Sequence, residues 1–273
     1  MRTSGKSKAV RPAHQNPLSY AITTRDQTTL QMVEEAVAHK QVMLAYQPVV
    51  QATNQGNVAF YEGLIRVLDG TGRIIPAKDF IEAIETTETG RVIDCLALEQ
   101  GLHVLTNTPS IRLAINMSAR SIGYPRWNKV LKRGLAQDST VAERLVLEIT
   151  ESSAMLVPEL VVNFMNDLQK RGITFALDDF GSGYTTFRNL MAIEADMIKI
   201  DGTLIEGIAT DPNKQTFVRM MVDLAQTFSV STVAEMVDSR ADAEVLRRLG
   251  VDYLQGFMFG VPSAAPSWQK RAG

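Results

Sequence analysis

Residues 173–184 read Ile-Thr-Phe-Ala-Leu-Asp-Asp-Phe-Gly-Ser-Gly-Tyr. The apolar beginning of this stretch predicts a buried strand, which ends where the vicinal pair Asp178-Asp179 begins. A carboxylate at the end of a buried strand is costly to desolvate unless it is paired with a cation or bound to a metal. The two glycines that follow make the next segment a flexible loop. The stretch therefore predicts a strand that delivers two acidic side chains to a binding site.

Several short apolar runs of the chain, including the one quoted above, end at or contain a polar side chain. These residues are Asn116, Glu148, Asp178, Lys199 and Glu235. Consecutive members from Asn116 to Asp178 lie about 30 residues apart, which is the length of one strand–helix unit. Side chains at the carboxyl ends of successive parallel strands meet at one rim of a barrel. We therefore expect one hard-cation site at that rim.

Between these polar positions the chain predicts helices, of which the one that starts at Asp211-Pro212 has a typical N-cap and first residue. Strands that alternate with helices favour parallel pairing, and this many units favour a closed barrel. Residues 42–50 and 58–66, however, predict an antiparallel hairpin, which a regular barrel lacks. The predicted fold class is therefore α/β, a modified TIM (β/α)8 barrel with one antiparallel strand.

Composition limits the classes of partner. The chain has 273 residues, of which 45% are hydrophobic, enough for one large core. Its net charge of -2 gives no global basic field, so we expect no polymeric nucleic acid as a partner. It has no run of eighteen apolar residues, so we expect no membrane span and a cytoplasmic location. The expected boundaries are a disordered tail over residues 1–25, one barrel domain over 26–262 and a second tail over 263–273.

The polar set offers oxygen ligands from the side chains of Glu62, Asn116, Glu148 and Asp178. Such ligands suit Mg²⁺ or Mn²⁺ better than zinc. The vicinal Asp178-Asp179 pair could serve two cations, and two neighbouring cations can activate water and clamp a phosphodiester for in-line attack. Lys199 could position or deprotonate that water, or stabilise developing negative charge. The residues therefore fit a two-cation site of the kind that can cleave a phosphodiester.

The chain resembles an EAL domain, the family of bacterial cyclic di-GMP phosphodiesterases, over residues 41–262. The name-giving motif of the family matches Glu62-Gly63-Leu64-Ile65-Arg66. The other matching motifs occur in the family's order: Tyr46-Gln47-Pro48, Asn116-Met117-Ser118, Glu148-Ile149-Thr150-Glu151-Ser152, Asp178 to Tyr184, Ile198-Lys199-Ile200-Asp201, Ala234-Glu235 and Gln255-Gly256-Phe257.

The resemblance implies a role for each matching residue. The first cation would be bound by Glu62, Asn116, Glu148 and Asp178. The second cation would be bound by Asp178 and Asp179, and both ions would be Mg²⁺ or Mn²⁺. The residues that orient or activate the water would be Lys199 and Glu235, with Glu62 completing the catalytic set. Glu151 would hold the glycine-rich loop. Phosphate or guanine of the substrate would be contacted by Gln47, Leu64, Arg66, Asp238 and Gln255.

The family hydrolyses one phosphodiester of cyclic di-GMP to give linear pGpG and usually works as a homodimer, so the resemblance implies both here. Two positions depart from the family pattern. Gly63 replaces an alanine, which should cost some backbone rigidity and little chemistry. Asp238 replaces a second glutamate, and its carboxylate has a shorter reach.

Two other interpretations stay open. One is a non-catalytic EAL module that senses cyclic di-GMP or a protein partner. Degenerate members usually lose metal ligands or the glycine-rich loop, and both are kept here, which favours catalysis. The other is a different barrel enzyme, such as a Mg²⁺-dependent enzyme that abstracts a proton with Lys199 as base. The glycine-rich loop after the acidic pair argues against it, although fold alone could not separate the two.

Overall fold

The barrel strands follow one another in chain order in the computed structural model, which describes residues 17–183, 193–266 and 268. Its strands are β1 (Val42–Gln51), β2 (Val58–Leu68), β3 (Ile74–Pro76), β4 (Leu113–Asn116), β5 (Leu145–Thr150), β6 (Thr174–Phe180), β7 (Met197–Ile200), β8 (Ser231–Ala234) and β9 (Tyr253–Gln255). Its α-helices are α1 (Pro17–Ala38), α2 (Ile81–Ile84), α3 (Glu88–Asn107), α4 (Pro125–Gln137), α5 (Glu151–Ala154), α6 (Pro158–Gln169), α7 (Gly202–Ile205), α8 (Pro212–Thr227) and α9 (Arg240–Leu249).

Strand pairing closes the sheet in the order β1-β2-β4-β5-β6-β7-β8-β9, with β9 returning to β1 and the short β3 attached outside β2. The pairs from β2 through β9 within this ring are parallel. Strand β1 runs antiparallel to both of its neighbours. The β1–β2 hairpin predicted from the sequence is therefore the irregular part of the ring. The predicted fold class, a modified TIM barrel with one antiparallel strand, is confirmed.

Side chains that point into the barrel form an apolar floor. They come from successive strands and are Val49, Phe60, Ala114, Val146, Ala176, Met197 and Val233. Tyr253 of β9 packs against them, and its ring lies 6.0 Å from that of Phe60. Because side chains alternate between the two faces of a strand, the next inward position on each strand lies two residues away. The floor therefore fixes which residues form the layer above it.

The larger core lies between the outer face of the barrel and the helices. Trp127 of α4, Phe164 of α6 and Phe175 of β6 form one aromatic chain, with ring centroids 5.5 Å and 5.9 Å apart. Polar caps fix where the helices begin. Asp211 accepts hydrogen bonds from two backbone N–H groups in the first turn of α8, as the Asp211-Pro212 pair predicts.

The structure also describes residues on the outer side of both predicted domain boundaries. Helix α1 begins at Pro17, within the segment 1–25 that the sequence predicts as a tail, and residues 1–16 lie outside the described residues. Beyond residue 262, Ser263 pairs with Tyr46, and the Trp268 ring lies 5.3 Å from the Tyr46 ring and 6.2 Å from that of Tyr61. These aromatic contacts cover the outer face of the β1–β2 hairpin. Within the described residues, no helix has both the length and the apolar character needed to cross a membrane.

Gly63, the residue that departs from the name-giving motif, lies where a side chain has little room. A Cβ built at this position would lie 2.9 Å from Cδ1 of Ile115 and 3.4 Å from Cδ1 of Leu44. The Ile115 side chain reaches equally close to Gly101 of α3, where a built Cβ would lie 2.7 Å from the same methyl. Ile115 therefore fills the volume that an alanine at position 63 would need.

Gly63→Ala is expected to destabilise the protein by about 1–3 kcal/mol, because the added methyl overpacks the space beside Ile115. Ile115→Val removes the crowding methyl, so the double variant should recover most of that loss. Urea unfolding of both single variants and the double variant measures the coupling. Gly70→Ala, at a position with no neighbour within 4 Å, is the matched control. Strictly additive effects at positions 63 and 115 would contradict this account.

Candidate active site

Directly above the apolar floor, each strand of the barrel contributes a polar side chain. These residues are Gln47, Glu62, Asn116, Glu148, Asp178, Lys199, Glu235 and Gln255. Most of them are buried. Each lies two positions along its strand from a floor residue or, for Gln255, from Tyr253, so strand alternation aims all of them at the barrel axis. The structure therefore brings together residues that are spread over most of the sequence.

Lys199 stands at the centre of this polar layer, with its side chain 1% exposed. Among the described residues, four carboxylates form ion pairs with its Nζ atom. The N–O distances are 2.8 Å to Glu235, 3.0 Å to Glu148, 3.0 Å to Asp178 and 3.4 Å to Glu62. Burial lowers the pKa of Lys199, but the four carboxylates outweigh burial and raise that pKa well above its ordinary value. Lys199 is therefore a buried, protonated ammonium.

The carboxylates around Lys199 carry more negative charge than one ammonium balances. Burial raises the pKa of Glu148 well above its ordinary range, the charge of Glu62 adds to that rise, and Lys199 opposes it. Burial also raises the pKa of Glu235 to about 8, although Lys199 again opposes the rise. The polar layer therefore has unbalanced negative charge that a bound divalent cation would offset.

Glu62 is the most extensively hydrogen-bonded of these carboxylates. Its Oε1 accepts a hydrogen bond from Asn116 at 2.7 Å, and its Oε2 accepts one from Gln255 at 2.6 Å. Burial alone would raise the pKa of Glu62, but Lys199 and these hydrogen bonds together lower it. With its nitrogen bound to Glu62, the Asn116 amide leaves its own Oδ1 as an acceptor for another group.

The residues present fit a divalent cation. In the described part of the chain, Asp178, Asp179 and Glu235 each place one carboxylate oxygen within 4.8 Å of the others. Oε1 of Glu148 is buried and accepts no hydrogen bond from the described residues. A buried oxygen without a donor is costly unless a cation or water meets it. An all-oxygen donor set of this kind matches Mg²⁺ or Mn²⁺.

A β-bulge explains why both aspartates of the vicinal pair face the site. Leu177 pairs with Ile198 and Phe180 pairs with Ile200, so Asp178 and Asp179 together oppose Lys199. In a regular strand two successive side chains would point to opposite faces. The bulge, with a left-handed φ of 56° at Asp179, removes that restriction. Burial and the neighbouring charge of Asp178 raise the pKa of Asp179 to about 6.

A cavity of about 410 Å³ opens beside the acidic set. Its wall combines site residues with residues of α2, α3 and α5, namely Glu62, Leu64, Asn116, Asp178, Asp179, Ile81, Glu82, Asp94, Ser118, Thr150 and Ser153 among others. A cavity of this size suits a small-molecule ligand. Leu64, a predicted substrate contact, therefore lies where a ligand beside the acidic set would reach it.

The side-chain amides of Gln255 and Gln47, both predicted substrate contacts, form a hydrogen-bonded series that ends at Glu62. The Nε2 of Gln255 reaches both Glu62 and, at 3.2 Å, Oε1 of Gln47. Gln47 in turn donates to the carbonyl oxygen of Gly260 at 3.1 Å. Arg66 is half-buried and donates to the Ile65 carbonyl oxygen at 3.0 Å, and burial lowers its pKa. Substrate contacts by these side chains stay predictions.

Asp238 and Glu151 lie apart from the charge cluster. Asp238 is exposed, and its Oδ1 accepts a hydrogen bond from the Phe257 backbone N–H at 2.8 Å, so it anchors the segment after β9. Glu151 is buried at the start of α5. The glycine-rich loop that it was predicted to hold is described only through Gly183, and residues 184–192 lie outside the described residues. That role stays a prediction.

Comparison with known proteins finds a matching family and similar curated proteins. A family model with the description "EAL domain" matches residues 30–262. Cyclic di-GMP phosphodiesterase PdeF of Escherichia coli (strain K12) is 29% identical over 234 residues, which are 84% of this chain and 31% of PdeF. The chain thus spans about a third of the length of the curated relatives that it matches.

Solved structures with bound cyclic di-GMP are similar to most of this chain. The PaMucR phosphodiesterase in complex with c-di-GMP has a TM-score of 0.76 and 30% identity, covering 89% of this chain and 99% of the other. BlrP1 of Klebsiella pneumoniae, solved with manganese and cyclic di-GMP, has a TM-score of 0.71 and 25% identity, covering 82% and 56%. Both similar structures therefore contain cyclic di-GMP, and one contains a cation of the kind that the donor set suits.

Proposed function

Because this chain belongs to the EAL domain family, we propose that it is a metal-dependent phosphodiesterase that hydrolyses cyclic di-GMP to linear pGpG. The observation that carries the proposal is the layer of carboxylates around buried Lys199, beside a cavity of ligand size. Relatives named as cyclic di-GMP phosphodiesterases support the substrate.

The described donor set suggests which residues would hold the cations. Glu62, Asn116, Glu148 and Asp178 would hold the first ion, and Asp178 with Asp179 would hold the second. When bound, Mg²⁺ or Mn²⁺ ions supply Lewis acidity that activates water and offsets phosphate charge. Asp179 and Glu235 place their oxygens close to those of Asp178, which supports a second ion at that position.

Lys199 acts as a fixed positive charge. Its pKa is raised by the surrounding carboxylates, so it keeps its proton at neutral pH and is a poor general base. A preorganised ammonium at this depth stabilises negative charge that develops on the phosphoryl oxygens. The same raised pKa argues against a proton-abstracting enzyme with Lys199 as base.

Glu235 is the residue best placed to receive the proton of the attacking water. Its Oε1 accepts a hydrogen bond from Lys199 at 2.8 Å, which fixes the carboxylate, and its side chain is partly accessible at 18% exposure. Burial raises the pKa of Glu235 to about 8 in the metal-free protein, so the positive charge of bound cations would be needed to keep this carboxylate ionised and able to accept a proton near neutral pH. Lys199 and Glu235 together would orient the water and collect its proton.

Chelation is expected to stop hydrolysis reversibly. Purified protein treated with EDTA should leave cyclic di-GMP intact, and Mg²⁺ or Mn²⁺ should restore turnover, because the donor set consists of oxygens. Chromatography of the nucleotides at fixed times measures the effect. Binding of cyclic di-GMP without hydrolysis under all these conditions would instead support the non-catalytic EAL module. Restoration by zinc alone would contradict the argument for a hard cation.

The homodimer implied by the family resemblance, the cytoplasmic location and the boundary of the domain at residue 26 stay predictions. None of them enters the proposed chemistry, since the acidic layer and the cavity are built within one chain.

A further inference from the structure

Asp94 is a buried carboxylate that the proposed mechanism does not use. It lies on α3 within the otherwise apolar stretch 92–98, and the residue is 8% exposed. A carboxylate in such surroundings is costly unless hydrogen bonds compensate for its lost hydration. Its partners therefore show what the residue does.

A single oxygen of Asp94 holds the turn that follows β4. Oδ2 accepts a hydrogen bond from the backbone N–H of Ser118 at 3.0 Å and another from Oγ of Ser121 at 2.5 Å. Ser121 is fully buried, so both bonds are shielded from water. The turn begins two residues after Asn116, a proposed metal ligand.

The same turn is joined to α5 through Ser153. Oγ of Ser153 accepts a hydrogen bond from the Ala119 N–H at 2.9 Å and lies 3.4 Å from Oγ of Ser118. Ser153 belongs to α5, whose first turn is capped by Thr150 at the end of β5. Asp94 thus stands at one end of a hydrogen-bonded chain from α3, through the turn after β4, to the segment after β5.

All three segments that these hydrogen bonds connect face the cavity beside the acidic set. Asp94, Ser118, Thr150 and Ser153 line it. We propose that Asp94 is a positioning residue that holds the Ser118–Ser121 turn and, through Ser153, the start of α5 as one wall of the substrate cavity. This proposal rests on the proposed function, because it assigns the cavity to the substrate.

The role depends on an acceptor atom and not on charge. Both hydrogen bonds go to one oxygen, and the side-chain carbonyl of an asparagine has two lone pairs for the same two donors. Burial raises the pKa of Asp94 to about 7, an effect that the bonds from Ser121 and Ser118 partly offset. Asp94→Asn should therefore preserve the wall, whereas Asp94→Ala should release it.

Steady-state kinetics with cyclic di-GMP and saturating Mn²⁺ distinguishes a loss of substrate positioning, which raises KM, from a general loss of active protein, which lowers kcat. For Asp94→Ala we expect KM to rise about ten- to hundredfold while kcat changes less than about threefold, because the loss affects binding of the substrate. Asp94→Asn should restore KM to within about threefold of the wild type. Cys95→Ala, at the next buried position of α3, is the control and should leave KM unchanged.

Hydrogen exchange followed by mass spectrometry provides a readout that does not need activity. In the protein without ligand, Asp94→Ala should speed exchange in residues 117–122 and 150–155, and Cys95→Ala should not. Ser121→Ala removes one of the two hydrogen bonds to Asp94 and should speed exchange in the same segments by a smaller amount. This variant replaces Asp94→Ala in the test if Asp94→Ala fails to fold.

If the wild type neither binds nor hydrolyses cyclic di-GMP, the proposed function fails, and the exchange data still decide whether Asp94 holds the two segments. Unchanged exchange in either segment would overturn the proposal. An Asp94→Asn variant as impaired as Asp94→Ala would also overturn it, as would a fall in kcat at constant KM.

Discussion

Replacing Lys199 with methionine is expected to destabilise the metal-free protein by about 3–5 kcal/mol at pH 8. The described structure surrounds this ammonium with the carboxylates of Glu62, Glu148, Asp178 and Glu235. Without it, these groups would repel one another in a buried site. Urea unfolding measures the loss, and Lys170→Met, which removes an exposed ion pair with Asp167, is the matched control with an expected effect below about 1 kcal/mol.

The pH dependence of this loss has a defined sign. Burial raises the pKa of Glu148, and raises that of Glu235 to about 8, above an ordinary value of about 4.3. A carboxyl group whose pKa is higher in the folded state contributes stability that is complete below about pH 4 and is lost as the pH rises towards 8. Removal of Lys199 raises these pKa values further. The deficit of Lys199→Met should therefore shrink between about pH 8 and pH 5.5.

Divalent cations should compensate for the missing ammonium in part. Ions that bind only the folded protein stabilise it by mass action, so Mn²⁺ should raise the unfolding midpoint of Lys199→Met more than that of the wild type. A variant as stable as the wild type at both pH values would show that the carboxylates do not depend on Lys199. Turnover should be lost even with Mn²⁺, because the cation does not replace the positioned charge.

Glu62→Gln is expected to lower hydrolysis by at least about 10³-fold while the fold survives, because it removes a proposed metal ligand and keeps the side-chain volume. Asn116 can rotate its amide to meet the new NH₂ group, so the hydrogen-bond network can adapt. Because Lys199 and the hydrogen bonds lower the pKa of Glu62 in the folded protein, its charge contributes to stability, so thermal stability should fall somewhat while the protein still folds. Turnover at saturating Mn²⁺ and thermal unfolding test both halves of this expectation.

Glu159→Gln provides a control for the loss of one negative charge, since Glu159 is an exposed residue in the first turn of α6. It should hydrolyse cyclic di-GMP like the wild type. Full activity of Glu62→Gln would remove Glu62 from the metal site, and loss of folding in that variant would point to a structural role.

Local patterns were enough to predict the barrel and several charged members of its polar layer, whereas Gln47 and Gln255 were implied only by the family resemblance. Short apolar runs that end at Asn116, Glu148 and Asp178 recur at the length of a strand–helix unit, and strand alternation then fixes which face each side chain occupies. The reversed β1 was also predictable, because the two runs at 42–50 and 58–66 are close enough to form a hairpin.

Features that depend on pairing between distant segments were not predictable. The bulge that turns Asp179 into the site arises from the register of β6 against β7, which no local pattern of β6 encodes. Trp268 covers the hairpin through contacts with Tyr46 and Tyr61, more than 200 residues away in sequence. The sequence shows that Asp94 is an acidic residue within the apolar stretch 92–98, which marks it as unusual. Its hydrogen bonds with Ser118 and Ser121, however, depend on tertiary packing.

The central claim is that water, activated at the carboxylate layer, cleaves one phosphodiester of cyclic di-GMP. The most direct test is to incubate the protein with cyclic di-GMP and Mn²⁺ in ¹⁸O-labelled water and to analyse the nucleotides by mass spectrometry. We expect one product, linear pGpG, with a single ¹⁸O atom in its terminal phosphate and no product when Mn²⁺ is withheld. Intact cyclic di-GMP bound to the protein with no product formed, at any Mn²⁺ concentration, would contradict this account.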